Sequence, residues 1–116
     1  MSKTRVDLGY GALKRLGKLV AGEAPDAVSA HAIDDFIDPL LANLNIRNVI
    51  YIPDADDIPD EAYEPLRLRL AWAAAGDFGV PLEQLPDCAP ASSEADLRAL
   101  GGIQANRGDV VEFEDY

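Results

Sequence analysis

Apolar side chains recur every three or four positions in three long segments of this chain, and glycine, proline or asparagine closes each one. That spacing places them on one face of a helix, so each segment reads as an amphipathic helix that must bury a stripe against its neighbours. The first segment, "TRVDLGYGALKRLGKLV", carries Val6, Tyr10, Leu13, Leu16 and Val20 on its stripe, with Thr4 or Ser2 as a cap and Gly17 as a stop. Lys14, Arg15 and Lys18 sit beside its negative end, where the helix dipole favours cations. Gly9 and Gly11 each weaken the helix by about 1 kcal/mol relative to alanine. Two residues that small are expected where another backbone comes close.

The second segment starts at Pro25 or Asp26 and runs to about Asn45, with Ile33, Phe36, Ile37, Leu40, Leu41 and Leu44 on its stripe. Pro39 falls inside and is expected to kink it, because proline lacks a donor and its ring crowds the preceding turn. "VIYIP", residues 49 to 53, is β-favouring but too short for a sheet. It reads as an extended connector whose Ile50 and Ile52 plug the core. The third segment places Tyr63, Leu66, Leu70, Ala73 and Ala74 on its stripe. Asp57 or Asp60 is expected to cap it, Gly76 or Gly79 to end it, and Pro81 to prevent continuation. Trp72 and Tyr63 are by default core residues. Residues 80–92 read as a loop, and "SSEADLRALGGI" as a short last helix capped by Ser92 or Ser93 and broken by Gly101 and Gly102. The expected fold is all-α: a small bundle of about four helices over residues 1–102, followed by an extended C-terminal arm, 103–116.

The 116 residues suffice for one domain with a modest core, and 48% apolar content is that of a folded chain. The net charge of −11 and pI near 4.2 speak against direct capture of nucleic acid and against an anionic membrane surface. No apolar run has the length of a membrane span and no signal-peptide core opens the chain, so a soluble protein made in the cytoplasm is expected. The charge is unevenly spread. Residues 1–18 hold Lys3, Arg5, Lys14, Arg15 and Lys18 against Asp7 alone, a balance of +4, which leaves −15 for the rest. A basic end and an acidic body suit head-to-tail contact between copies, with Lys14, Arg15 and Lys18 on one side and Asp54, Asp56 and Asp57 on the other.

No constellation in the sequence points to catalysis, a metal or a cofactor. "DADDIPDE" at 54–61 resembles a calcium loop only in its crowding. Counted from Asp54, the fifth position is Ile58, the sixth Pro59 and the twelfth Pro65, where oxygen ligands and a glycine are required. Carboxylates at a helix start complement unpaired amides, and that explains them better. His31, the single histidine, has Asp34 and Asp35 one turn on, and a surface ion pair is the plain reading. Cys88 has no second cysteine to pair with, and a Cys88–His31 nucleophile pair needs tertiary contact. "RGD" at 107–109 is too short a match to weigh. In "DVVEFEDY", Val111 and Phe113 alternate against Val110, Glu112 and Glu114, the pattern of a strand able to add to another protein's sheet edge.

"GALKRLG", "VAGEAPDA", "LLANLNIRNVIYIPD", "IPDEAYEPLRLRLAWAAAGDFGVP" and "SEADLRAL", taken in order, resemble the head–tail adaptor proteins of tailed bacteriophages and gene transfer agents. The similarity spans about residues 6–100, and "ALKRLG" and the "IP-D-E" launch weigh most. After residue 100 the chain departs from the family, with "GGIQANRGDVVEFEDY" in place of a longer final helix. The resemblance implies a non-enzymatic virion part in the neck between head and tail. Such adaptors form a ring, usually dodecameric, below the portal protein. The ring extends a channel that DNA traverses without specific binding, and offers a docking surface to tail or stopper proteins. The family's C-terminal arm grips the portal, which points to Val110, Val111, Phe113 and Tyr116 here. A rival expectation is an acidic DNA mimic that blocks a nucleic-acid-binding protein with the carboxylates at 54–61 and 112–115. The basic first helix argues against it.

Overall fold

A computed structural model describes residues 2–19 and 27–100. The fold is all-α. Helix α1 spans Arg5–Arg15, α2 Ala27–Asp34, α3 Ile37–Ile46 and α4 Asp60–Ala74. Three 3-10 turns follow, Ala75–Phe78, Leu82–Gln84 and Pro86–Cys88, and residues 90–100 form a further helix, α5. α4 is the central post, with α1 along one side. The only sheet among the described residues is a two-residue antiparallel ladder, β1 (Ser2–Lys3) with β2 (Ile58–Pro59), in which Ser2 faces Pro59 and Lys3 faces Ile58. It ties the start of α1 to the start of α4, and nothing in the hydrophobic pattern announces so short a pairing.

Local chemistry sets the helix ends. Thr4 caps α1 in a capping box: its hydroxyl accepts the Asp7 amide at 3.2 Å, and the Asp7 carboxylate accepts the Thr4 amide at 3.2 Å. Three C-termini close in the same way. After α1 the Lys18 amide donates to Leu13 O and the Gly17 amide to Lys14 O, with Gly17 at φ +77°. After α3 the pattern repeats around Asn48 (φ 58°), with Val49 to Leu44 and Asn48 to Asn45. The 3-10 turn after α4 ends likewise at Gly79 (φ 70°). Each is a left-handed residue that lets two carbonyls find donors, so glycine or asparagine stands at each.

Several expectations need correction. The second segment is not one kinked helix. The chain breaks at Asp35–Phe36 and restarts as α3, with Pro39 in the first turn of the new helix. A proline there leaves no intrahelical bond unmade, whereas inside one continuous helix it would orphan the carbonyl four residues back. The start expected at Pro25 or Asp26 lies outside the described residues. α4 has Pro59, not an aspartate, at its N-cap, and no side chain caps it; Asp60 and Glu61 fill its first turn. Asp57 is part of the preceding turn instead. Neither Ser92 nor Ser93 caps α5: both lie inside its first turn, and their hydroxyls donate back to Ala89 O. The buried face of α1 is also rotated from the expected one. Of the expected stripe Leu13 and Leu16 are buried and Tyr10 packs against the core, but the buried face extends round to Leu8, Gly9, Gly11 and Ala12, while Val6 is 53% exposed. Val20 lies outside the described residues.

The rotation has a cause. Gly9 meets the side chain of Ile33, where a built Cβ would lie 3.1 Å from Cγ2. Gly11 lies under Tyr63 and Arg67, where a Cβ would come 2.3 Å from the Tyr63 hydroxyl. The glycines do admit close neighbours, though these are side chains rather than a backbone: Ile33 of α2 at Gly9, and Tyr63 and Arg67 of α4 at Gly11. One core collects Leu8 and Leu13 of α1, Ile33, Ile37 and Leu44 of α2 and α3, Leu66 and Leu70 of α4, then Leu85, Cys88 and Leu97. The connector 49–53 does plug it: Ile50 and Ile52 are buried, as is Val49.

Candidate functional site

Arginines bind the helices to one another, and this decides which charges remain for a partner. Arg5 of α1 donates to Asp34 (2.9 Å) and Asp38 (3.2 Å). Arg15, at the other end of α1, holds Asp87 in the last 3-10 turn and also donates to Gln84 O. That guanidinium keeps the Asp87 carboxyl below its usual range. Arg67 of α4 reaches Gly11 O at 3.0 Å and forks onto Glu64. The Tyr63 hydroxyl donates to Asp7 O at 3.0 Å, and burial pushes the phenol's pKa up.

The most enclosed charge among the described residues is Glu94 of α5, whose side chain is 5% exposed. Arg47, capping α3, forks onto it at 2.9 and 2.6 Å, and Arg69 of α4 adds a bond at 2.8 Å. The two guanidiniums, Arg47 foremost, outweigh the cost of burial and lower the Glu94 pKa to about 2. One carboxylate thus pins three helices together. Nothing in the spacing of Arg47, Arg69 and Glu94 revealed this, because the three meet only through tertiary structure.

Two hollows open beside α1. One, of about 280 Å³, lies between α1 and α2 and is lined by Val6, Tyr10, Ala30, Ile33 and Ile37, with Arg5, His31 and Asp34 at its edge. The other, wider and about 470 Å³, lies between α1 and α4 and is lined by Gly11, Lys14, Arg15, Tyr63, Glu64 and Arg67. Lys3 stands over the Tyr63 ring at 5.2 Å from its centroid. The second hollow is therefore basic and aromatic on a strongly acidic chain.

The residues expected to join copies divide by use. Lys14 and Lys18 are exposed, with no side-chain partner among the described residues. Arg15 is committed to Asp87. Asp54 and Asp56 are partly occupied: the Asp54 carboxylate accepts the Asp56 amide at 3.0 Å, Asp54 O accepts the Asp57 amide at 2.9 Å, and Asp56 accepts the Arg5 amide at 3.3 Å. The acidic stretch is thus a side-chain-braced turn leading into α4. Asp57 is exposed. Val110, Val111, Phe113 and Tyr116 lie outside the described residues, as do Gly101 and Gly102.

His31 faces Asp35 at 3.6 Å in solvent, while Asp34, its other expected partner, goes to Arg5. Cys88 is fully buried, and burial raises its thiol pKa. Among the described residues no three His, Cys, Asp or Glu side chains gather as a metal site, and no helix is long and apolar enough to cross a membrane. No family model, curated protein or solved structure matches the chain.

Proposed function

We propose that this protein is a head–tail adaptor of the tailed-bacteriophage and gene-transfer-agent kind, a structural virion part that forms a ring below the portal. The observation that carries the proposal is the way the two segments central to the resemblance lock together. Tyr63 and Arg67, from "IPDEAYEPLR", bond to Asp7 O and Gly11 O of the helix that contains "GALKR". A ring needs one face of a subunit to meet a different face of the next. Lys14 and Lys18, without side-chain partners among the described residues, and the exposed acids around Asp57 are two such faces of opposite charge. In the ring the neck would extend the DNA channel, and an acidic wall would let the phosphate backbone slide rather than stick. The arm, with Val110, Val111, Phe113 and Tyr116, would hold the portal, leaving the opposite side of the ring to a tail or stopper protein.

The test is electron microscopy of the full chain mixed with the portal ring encoded beside it, with a chain truncated after Gly102 in parallel. Extra ring density below the portal, lost on truncation, is the expected result. Density that survives truncation keeps the adaptor and moves the anchor to the helices. Absence of density in both overturns the proposal and favours the DNA mimic. The assembled density also tests the channel: acids lying on the outer rim would rule out the sliding wall.

A further inference from the structure

We infer that the basic groove between α1 and α4 is the docking site for the acidic segment 109–116 of a second copy of this chain. The inference deepens the ring proposal by naming what joins neighbours. It rests on self-association alone, so its failure is distinct from failure of portal binding.

The groove has the chemistry to hold such a segment. Lys14, Arg15 and Arg67 line it and Lys3 stands over its Tyr63 ring, opposed by Glu64 in the lining and by Asp87 on Arg15. That is four of the ten lysines and arginines of a chain whose net charge is −11. Arg15 and Arg67 have carboxylate partners already, but Lys14 has none among the described residues. The Tyr63 ring and the arginine stems give an apolar floor beside those cations. "DVVEFEDY" is the matching chemistry: Asp109, Glu112, Glu114 and Asp115 with no basic residue between, interleaved with valines and a phenylalanine. The carboxylates would meet the lysines of the groove, leaving the other side of the segment for the portal. The acidic turn at 54–57 is the weaker occupant, since Asp54 and Asp56 already accept amides of their own chain.

The course of the chain selects a second copy over the groove's own molecule. At Asp87 the chain still touches the groove side, through Arg15. By Glu94 it is held by Arg69. Arg67 and Arg69 are two residues apart, about 200° round α4, so they point to nearly opposite faces. α5 therefore carries the chain to the side of α4 away from its own groove. A segment leaving there meets the groove of a neighbour more directly, and such a contact is heterologous, the kind that closes rings.

The experiment is fluorescence anisotropy of a labelled peptide of residues 105–116 titrated into the full chain. Controls are a peptide of the same composition in scrambled order, the variants Lys3→Glu and Lys14→Glu, and a full chain with Asp109, Glu112, Glu114 and Asp115 changed to amides. The expected result is saturable binding to the full chain, with the scrambled peptide weaker. Each lysine variant should lose about tenfold in affinity, as should a rise from about 50 to about 300 mM salt. Sedimentation should show association of the full chain that the amide variant lacks. Binding by the amide variant with none by the full chain would mean that each groove holds its own tail, and would overturn the second-copy assignment. Equal binding of the scrambled peptide, or no binding by any form, would overturn the site.

Discussion

Gly17, Gly76 and Gly79 punctuate helices in the same way on paper, and the structure gives them opposite worth. Gly17 and Gly79 hold left-handed backbone, which costs an L side chain about 1–2 kcal/mol, so alanine at either should lower stability by about 1 kcal/mol. Gly76 has ordinary backbone and open space where a Cβ would stand, so Gly76→Ala should raise stability by about 0.5 kcal/mol. Urea unfolding of the three variants checks the split. Gly11 is a different case. Alanine there gains about 1 kcal/mol of helix propensity but drives its methyl into Tyr63 and Arg67, an overpacking that costs about 1–3 kcal/mol. Gly11→Ala should therefore destabilise. Adding Tyr63→Phe, which removes the closest atom, should restore part of the loss, a coupling that a double-mutant cycle reads directly. That Gly9 and Gly11 admit a close neighbour was legible from their size alone. Which neighbour, and hence which face of α1 turns inward, was not, because the answer depends on side chains distant in the chain, Ile33 for Gly9 and Tyr63 and Arg67 for Gly11.

The helices and their order were legible because each carries its own signal. Thr4 with Asp7 marks a start, and Gly17 and Gly79 mark stops. The division of the second segment into α2 and α3 was harder to see. Its apolar stripe runs through the break without interruption, and only the backbone records that Pro39 begins a helix rather than bends one. α5 is held by a contact that no local signal carries. Glu94 has its pKa lowered to about 2, below the 4.5 of a free glutamate, so it favours folding above pH 4.5. That contribution, on the order of 3 kcal/mol, is lost as pH falls from about 4.5 to about 2. Glu94→Gln should therefore cost about 2–4 kcal/mol at neutral pH, leaving Arg47 and Arg69 facing each other, and should flatten the fall in stability below pH 4.5. Thermal melts of both proteins at stepped pH test this.

The bundle should unfold as a unit, since Arg5, Arg15, Arg67 and the Glu94 cluster each cross between elements and one core runs through all of them. Cys88 is the probe. It is fully buried with a raised thiol pKa, so it should resist alkylation in the native protein and react at the denaturant concentration where Trp72 fluorescence changes. Thiol reaction well before that point would mean that the 3-10 region opens by itself. The charge separation was visible from composition. Its distribution over the surface was not: Arg15, counted by sequence among the cations for a partner, is spent on Asp87, while Tyr63, by default a core residue, becomes the floor of a basic groove.

The sequence by itself determined that this chain is an all-α bundle, where its first helix starts and where the stops near Gly17, Asn45 and Gly79 fall, and that a basic opening precedes an acidic body. Those are properties of spacing, caps and counts, which act over a few residues. Only the tertiary structure decided which face of α1 is buried, that Glu94 is caged by Arg47 and Arg69, and that Lys14, with no side-chain partner among the described residues, stands beside Tyr63. These depend on residues distant in the chain meeting at hydrogen-bond distance, and hydrophobic periodicity carries no information about which charge will find which.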